Sequence, residues 1–173
     1  MATFTERAVD AALDFLTEDT YGLNTETLPA LRTALGIDSS NLPDVASFEA
    51  WYHRSAQARS FPYLSVVVAT TTGESSANSR MYTVELDLGL VVLDANVAGD
   101  EAATMVACWR YGDAIKTIFN RRLGAGGQGW TLGGSTGITR AEVLSQYVGS
   151  DPTLSVPNVA LLTRVSVVTS EEY

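Results

Sequence analysis

The chain has 173 residues, of which 46% are hydrophobic and 18% charged, and its 20 acidic against 11 basic residues give a formal net charge of −9. A length of ~100–200 residues is typical of one domain, and this composition is typical of a globular chain rather than a disordered one. We therefore predict a single domain over residues 1–173. The negative charge disfavours autonomous nucleic-acid binding, because phosphates are repelled over a Debye length of ~8–10 Å.

Two further classes of protein are disfavoured by the same overview. No window of the sequence approaches the ~20 consecutive apolar residues of a membrane span. The N-terminal sequence Met-Ala-Thr-Phe-Thr-Glu lacks the basic and apolar regions of a signal peptide. We therefore expect a protein that matures in a cytoplasm and makes no membrane contact.

Cys108 and His53 are the single cysteine and the single histidine of the chain. This count excludes a zinc site built from nitrogen and sulfur ligands. Cys108 lies within a predicted helix beside Trp109, and we interpret it as a buried, unreactive thiol. His53 lies beside Trp51 in a helix-like run, and we interpret it as a packing or surface residue rather than a catalytic base.

The first 60 residues are predicted to be helical. Thr3 and Glu6 have the spacing of a capping box, and apolar residues then recur at three- and four-residue steps, which predicts a helix over Thr5–Leu16. A second, short helix follows, with Pro29 in its first turn and Gly36 placed to end it in a left-handed conformation.

A third helix is predicted over Phe48–Arg59. Ser47 is the residue type that caps helix N-termini, and Trp51 is among the apolar residues of the run. Pro62 would stop the helix, because proline disfavours the helical conformation of the residue before it.

Residues 61–123 form the predicted core unit. The apolar run Leu64–Thr70 predicts a strand that is covered on both faces, and the polar segment Thr71–Ser79 predicts a turn-prone insertion after it. In the run from Arg80 to Leu93, every residue at an even position up to Val92 is apolar, except Arg80 itself. This alternation predicts a long strand with one buried face. A helix over Asp100–Leu123 follows, with an apolar stripe suited to lie on a sheet. The members of this stripe are Ala107, Tyr111, Ala114, Ile115 and Ile118.

Seven glycines fall within the fourteen residues of Gly124–Gly137. The segment contains a literal G-x-G-x-x-G at Gly124, Gly126 and Gly129. We reject a dinucleotide site, because that motif requires a strand before it and a helix directly after it, whereas this one leaves a helix. A mobile loop is the interpretation that the pattern favours, with Trp130 as an anchor against a partner.

The C-terminal part contains a predicted closing strand beside the hairpin. The segment Arg140–Val148 is compatible with a short helix or an edge strand, and its pattern does not decide between them. Alternation over Val156–Val168 predicts a strand, and the acidic tail Thr169–Tyr173 is expected to fray. The residues of this strand that are predicted to share one face are Val159, Leu161, Thr163, Val165 and Val167.

The predicted fold class is α+β: a mainly antiparallel sheet with a long β-hairpin packed against one long helix, plus N-terminal helices. The single domain divides into an N-terminal helical part at 1–60, the hairpin and main helix at 61–123, a glycine-rich loop at 124–139, and a C-terminal part with the closing strand at 140–173.

No pattern in the chain points to catalysis, a cofactor or a metal. Glu85 and Asp87 lie two apart on a strand face, which is typical of a solvated surface. The pairs Ser75-Ser76 and Ser135-Thr136 have no base at a recognisable spacing. No calcium-loop spacing occurs. We therefore expect a non-enzyme whose loops and sheet edges serve assembly with neighbouring subunits.

The order of these elements resembles that of the tail terminators and other neck, or head–tail joining, proteins of long-tailed bacteriophages. The likeness covers roughly Phe61–Val168. It includes the strand Leu64–Thr70, the alternating strand Met81–Leu93, a helix in which Tyr111-Gly-Asp-Ala-Ile-Lys-Thr-Ile118 resembles the family's middle helix, and a final strand. It is a likeness of pattern and order rather than of one diagnostic motif.

The resemblance implies a structural virion protein that is assembled in the host cytoplasm. Such proteins form a homohexameric ring on the tail tube, stop its polymerisation, and offer a surface to the head–tail connector or stopper protein. DNA only passes through the ring lumen, and no cofactor is involved. The residues that we expect to contact copies or partners are Thr72, Gly73, Glu74, Ser75, Asn78, Arg80, Arg121, Arg122, Gln128 and Trp130.

Two other functions stay open at this stage. One is a head-completion or connector protein of the same neck. The other belongs to a different class: a small-ligand-binding or enzymatic α+β domain that uses the glycine-rich loop.

Overall fold

The computed structural model describes residues 4–50, 60–75, 79–124, 130–131 and 137–172. These residues form three α-helices and one six-stranded, mostly antiparallel sheet. The mixed α and β content and the mainly antiparallel sheet agree with the predicted class. The helices are α1 (Phe4–Thr17), α2 (Leu28–Leu35) and α3 (Glu101–Gly124), and the strands are β1 (Ser47–Glu49), β2 (Tyr63–Ser75), β3 (Ser79–Leu93), β4 (Trp130–Thr131), β5 (Gly137–Gly149) and β6 (Asn158–Glu172).

The strands lie in the order β1-β2-β3-β6-β5-β4. Among the described strands β1 and β2 are parallel, and all the other neighbours are antiparallel. The C-terminal strand β6 therefore lies inside the sheet between β3 and β5, in agreement with the predicted position beside the hairpin. Its pairing with β3 runs without interruption from Leu93↔Asn158 to Ser79↔Glu172.

Alternation along β3 and β6 builds the core. The even-numbered residues of β3 and the odd-numbered residues of β6 point to the same, inner face of the sheet, because paired residues in a ladder share a face. The predicted inward residues are confirmed for both strands. Those with at most 4% of their surface exposed are Val84, Leu86, Leu88, Leu90, Val92, Val159, Leu161, Thr163, Val165 and Val167.

The three helices and the core lie on this inner face. Helix α3 packs mainly over β5 and β6, whereas α1 packs over β2 and the adjoining part of β3. The predicted pairing of the hairpin with the one long helix is therefore not confirmed. Both helices carry apolar stripes of the same period, and periodicity does not specify which stripe covers which pair of strands.

The first helix and the end of the second are as predicted. Helix α1 extends one residue beyond each predicted end, and Thr3, its predicted cap, lies outside the described residues. A π-helical turn over Leu23–Thr27 leads directly into α2. Gly36 ends α2 with φ +64°, and its N–H donates to the carbonyls of Arg32 and Thr33. The left-handed conformation that was inferred for Gly36 is confirmed.

The predicted third helix is wrong at its start. Ser47–Glu49 forms β1, which pairs in parallel with Tyr63–Ser65. The N–H of Ala46 also donates to the carbonyl of Pro62 at 2.8 Å. These long-range backbone bonds override the local helix signal of Ser47. The rest of the predicted helix, with Trp51 and His53, lies outside the described residues.

Two predictions at strand ends are wrong, and one segment that the sequence left undecided is now assigned. The predicted insertion is strand over Thr71–Ser75, which pairs with Arg80–Val84. The predicted frayed tail is strand over Thr169–Glu172, which pairs with β3 on one side and, in part, with β5 on the other. Polar strands of this kind are hard to recognise, because neither face is buried and alternation is lost. The undecided segment Arg140–Val148 is strand β5.

Helix α3 matches its prediction closely. Asp100 precedes it, and its Oδ1 accepts the N–H of Ala103 at 3.1 Å, as an N-cap does. Gly124 is the last helical residue, and all five residues of the predicted stripe are buried. Within the described part of the chain, no helix combines the length and the hydropathy that a membrane span requires.

Candidate functional site

The first candidate site is an extension of the sheet beyond the helical layer. Gln146 Nε2 donates to the carbonyl of Gly112 on α3 at 2.8 Å and to Thr163 Oγ1 at 3.2 Å, and Thr163 pairs with Leu88. This contact places Gly112 level with Leu88. The bond from Cys108 Sγ to the carbonyl of Val159 shows that α3 runs from the Leu93 end of β3 towards the Ser79 end.

The lengths of α3 and β3 then determine how far the strands extend past the end of the helix. Twelve residues of helix remain after Gly112, and they advance ~18 Å at ~1.5 Å per residue. Nine residues of strand lead from Leu88 to Ser79, and they span ~30 Å at ~3.3 Å per residue. The strands therefore extend ~10 Å or more past the end of α3. We call this overhang the sheet arm; its parts are Thr71–Ser75 of β2, Ser79–Thr83 of β3, 137–140 of β5, and Val168–Glu172 of β6.

Exposure supports this geometry. Thr71 and Gly73 belong to the inner face, because they pair with Val84 and Tyr82, yet both are exposed. On the outer face Thr72 is exposed, and Met81 has 47% of its surface accessible. Among the arm residues whose burial the structure describes, Thr71, Thr72, Gly73 and Met81 are therefore exposed, and they lie on both faces of the arm.

The arm brings several of the predicted contact residues to one end of the sheet. Thr72, Gly73, Glu74, Ser75 and Arg80 all lie in it. Trp130 belongs to β4, at the same end, because it pairs with Ile138 and Ile138 pairs with Thr169, which pairs with Tyr82. Arg121 and Arg122 lie in the last turn of α3, whose C-terminus points towards this end. Asn78 and Gln128 lie outside the described residues.

The second candidate site is a groove on the outer face of the sheet, near its opposite end. It encloses about 410 Å³. Its floor consists of small residues on three neighbouring strands: Ser65 on β2, Gly89 on β3 and Ala160 on β6. A Cβ on Gly89 would lie 3.1 Å from Ser65 Oγ. The small residues therefore create a depression in an otherwise continuous surface.

Larger apolar side chains form the sides of the groove. Val67 lines it from β2, and Leu162 and Tyr147 line it from β6 and β5. Tyr147 is 70% exposed and Leu162 is 39% exposed. The Tyr147 ring lies so close to Gly149 that a Cβ there would be 2.9 Å from Cε1 of the ring. The aromatic ring is therefore held at the groove by close packing on a glycine.

The loop after β5 closes one end of the groove with Asp151 and Pro152. Asp151 Oδ1 accepts hydrogen bonds from the N–H and the hydroxyl of Thr153, at 2.9 and 2.6 Å. Asn158 Oδ1 accepts the N–H of Asp151 at 2.7 Å, and its Nδ2 donates to the carbonyl of Val156 at 2.9 Å. These bonds set the shape of the loop before any partner arrives.

An ion pair lies at the other end of the groove. Arg164 Nε donates to Asp87 Oδ1 at 2.7 Å, and Arg164 Nη2 donates to Asp87 Oδ2 at 2.9 Å. The hydrogen bond to Asp87 raises the pKa of the Arg164 guanidinium. Because Asp87 is engaged by both oxygens, it is not arranged as a free general base.

Chemical groups for a reaction do not converge at either site. The residues that the structure describes contain no cluster of three or more metal-ligating side chains. Cys108 is buried away from both sites, and its burial raises the pKa of the thiol to about 12. Its predicted buried position is confirmed, and a thiol with this pKa stays protonated and unreactive at neutral pH.

The groove was not predicted from the sequence. Gly89 was a usable signal, since a glycine inside an otherwise alternating strand often marks a close approach by another chain or ligand. Leu162 was a second signal, because it is a large apolar residue on the polar side of the β6 alternation. Neither signal identifies a groove alone, because its residues come from three strands whose order only the folded sheet reveals. No protein-family model matches this chain, and no curated protein matches it.

Proposed function

We propose that this chain is a structural virion protein, a tail terminator that forms a ring at the head-proximal end of a bacteriophage tail tube. The observation that carries the proposal is the sheet arm, which extends beyond the end of α3 and has exposed residues on both faces at 71–73 and 81. Strands of 13 and 15 residues are much longer than the typical ~5–6 residues. An arm that a subunit does not cover itself is suited to packing against a neighbour.

Two further features support the same reading. The order of helix, long hairpin, long helix and closing strand is that of the neck proteins which the sequence resembles. The net charge of −9 suits a ring through whose lumen DNA passes without being gripped. In this proposal the partners are other copies of the chain in a homohexamer, the tail tube protein, and the head–tail connector or stopper protein.

The first experiment is mass measurement by sedimentation, followed by negative-stain imaging. A flat ring with a central hole is expected, alone or in the presence of tail-tube subunits. Purified protein added to polymerising tail-tube subunits should also cap the tubes and shorten them. Tubes of unchanged length would exclude the terminator role.

Hydrogen exchange tests the contact surfaces separately. The segments 71–79 and 124–137 should gain protection in the assembled particle relative to the isolated chain. Equal protection in the two states would count against their role in assembly.

A head-completion or connector protein of the same neck is the nearest alternative. It shares the ring and the exposed arm, so imaging alone does not separate it from a terminator. The tube-capping measurement does, because a connector would bind the completed head without limiting tube growth.

The outer-face groove favours one candidate of another class, a small-ligand-binding domain. A volume of about 410 Å³ and an apolar lining are within the range of ligand pockets. A ligand screen by melting temperature tests this candidate. A shift that disappears in Tyr147→Ala would support binding in the groove, whereas one that disappears in Gly126→Ala would implicate the glycine-rich segment.

A further inference from the structure

Trp109 is the most exposed large apolar side chain among the helical residues whose burial the structure describes. It lies on α3 with 57% of its surface accessible. The neighbouring helix positions Cys108 and Tyr111 are fully buried, so the exposure of Trp109 follows from its direction on the helix rather than from fraying. An exposed tryptophan leaves a large apolar area in water, and tryptophan is enriched at the centres of protein interfaces.

The exposed face of α3 points directly away from the sheet. Trp109, Asp113 and Lys116 follow one another at steps of four and three residues, so they form one stripe. The buried stripe with Tyr111 and Ile115 packs on the inner face of the sheet. The outer-face groove opens on the far side of that sheet. Trp109 and the groove therefore lie on opposite faces of the molecule and cannot meet within one chain.

The two surfaces match in shape and polarity. The groove is an apolar recess about 410 Å³ in volume, with a floor of small residues and an exposed aromatic ring, Tyr147, at its side. A tryptophan side chain is an apolar projection, and a pair of offset aromatic rings gains ~0.5–1.5 kcal/mol beyond the area that it buries.

Charge is complementary as well. Helix α3 carries Arg110, Lys116, Arg121 and Arg122 against only Glu101 and Asp113, so it is basic in a strongly acidic chain. On the outer sheet face and groove rim, the described charged side chains are five acids and one base: Glu49, Glu85, Asp87, Glu142 and Asp151 with Arg164. Two copies in which α3 faces the outer sheet surface attract each other, whereas two copies in which like surfaces meet repel.

We propose that Trp109 of one copy inserts into the outer-face groove of the next copy. The contact joins two different surfaces of the chain, so it is head-to-tail, and such contacts produce a closed ring when the rotation between copies permits. The inference rests on the proposed self-association and names the surfaces that make it. Lys116, seven residues along the same stripe, then faces the acidic rim of the groove.

Crosslinking between differently tagged chains tests this contact. One chain carries Asp113→Cys, one helical turn from Trp109, and the other carries Ser150→Cys, at the side of the groove, so that Trp109 and Tyr147 both stay in place. The mixture is treated with a short bis-maleimide reagent. The native Cys108 stays unlabelled because it is buried with a raised pKa, and the unsubstituted chain serves as the control for this. Crosslinked pairs should join one tag to the other in preference to either homodimer.

A second measurement uses the affinity of self-association. Removing a tryptophan at an interface centre should weaken association by at least ~30-fold. Trp109→Ala should show this loss, and Lys116→Glu a smaller one. Tyr21→Ala is the matched control, because Tyr21 is a similarly exposed aromatic residue outside this stripe. Circular dichroism establishes that each variant is folded.

The outcomes separate this inference from the proposed function. Rings that form normally with Trp109→Ala, or crosslinks that favour Asp113→Cys homodimers, overturn the Trp109 contact and leave the ring proposal standing. An unsubstituted chain that does not self-associate, even with tail-tube subunits, overturns both.

Discussion

At the scale of single residues, Leu88 illustrates how a core side chain contributes to the stability of the fold. It lies in the middle of β3, is fully buried, and faces the helical layer. Leu88→Ala should lower the free energy of unfolding by about 2–5 kcal/mol, because it removes buried apolar surface and leaves a cavity. Chemical denaturation measures this change.

The matched control for Leu88 is Leu162→Ala. Leu162 is the same residue type in the same sheet, but it lies on the outer face and is 39% exposed. Its substitution should cost about 1 kcal/mol or less. Equal losses for the two variants would contradict the assignment of inner and outer faces.

Cys108 gives a prediction about pH. Burial raises the pKa of its thiol from 9.0 to about 12 in the folded state. Below pH 9 the thiol is protonated in both states; between pH 9 and 12 only the unfolded state loses the proton. The stability of the wild-type chain should therefore fall in this window, by up to ~1.4 kcal/mol per pH unit from this group.

Cys108→Ala isolates that effect. It removes the titrating group and adds a constant loss from the smaller side chain. The difference in unfolding free energy between the two proteins should be constant below pH 9 and should shift in favour of Cys108→Ala above it. Burial is the largest cause of the raised pKa of Tyr111 and is common to both proteins, so that part of its contribution cancels; the smaller part that Cys108 adds is lost in the variant. Parallel curves up to pH 12 would contradict the burial of an ionisable thiol.

At the scale of single residues, several structural features could be predicted from the sequence. The left-handed Gly36, the buried Cys108 and the inward residues of β3 and β6 were all predicted, because each depends on a local rule of conformation or alternation. The groove floor was not predicted. Ser65, Gly89 and Ala160 become neighbours only through the strand order, and no local pattern of a strand encodes the strand beside it.

At the scale of elements, strand β6 extends further towards the C-terminus than its sequence pattern predicted. Its residues Thr169–Glu172 were expected to fray, yet they pair with Ser79–Tyr82. Deletion of residues 169–173 should expose the amides of Ser79–Tyr82 that donate to β6 and accelerate their hydrogen exchange. The core residues around Leu88 should keep their protection.

Deletion of Tyr173 alone is the control for this truncation. Tyr173 lies outside the described residues, so its removal breaks none of the described pairs. Unchanged exchange at 79–82 after the longer deletion would show that β6 ends near Val168 in solution, as the sequence alone had indicated.

Elements with a buried face were recognised, and elements without one were not. Helices α1, α2 and α3 and the central parts of β2, β3 and β6 all carry a periodic apolar pattern. The short strand β1 and the polar ends of β2 and β6 carry none, and only their backbone pairing identifies them as strands. The sequence therefore predicted the apolar body of the fold but neither the length of the sheet nor the choice of helix that covers the hairpin.

At the scale of the whole molecule, the chain divides into a buried body and an exposed periphery, which we propose serves assembly. The body contains the buried inner face and its helices. The arm and the outer-face groove contribute little to that core, so substitutions there should leave the monomer folded. This separation makes assembly testable without loss of stability.

Met81 on the arm provides the sharpest test of that separation. It is 47% exposed, so Met81→Glu should change the free energy of unfolding of the isolated chain by no more than ~0.5 kcal/mol. In the assembled ring the new carboxylate would be buried in an apolar contact without a partner, which is costly. Ring formation and the capping of tail tubes should therefore be strongly reduced.

Leu35→Glu is the matched control, because Leu35 has the same exposed fraction but lies at the end of α2, away from the arm. If Met81→Glu assembled as well as Leu35→Glu, the arm would not be the surface through which copies meet, and the overhang of the sheet would need another explanation.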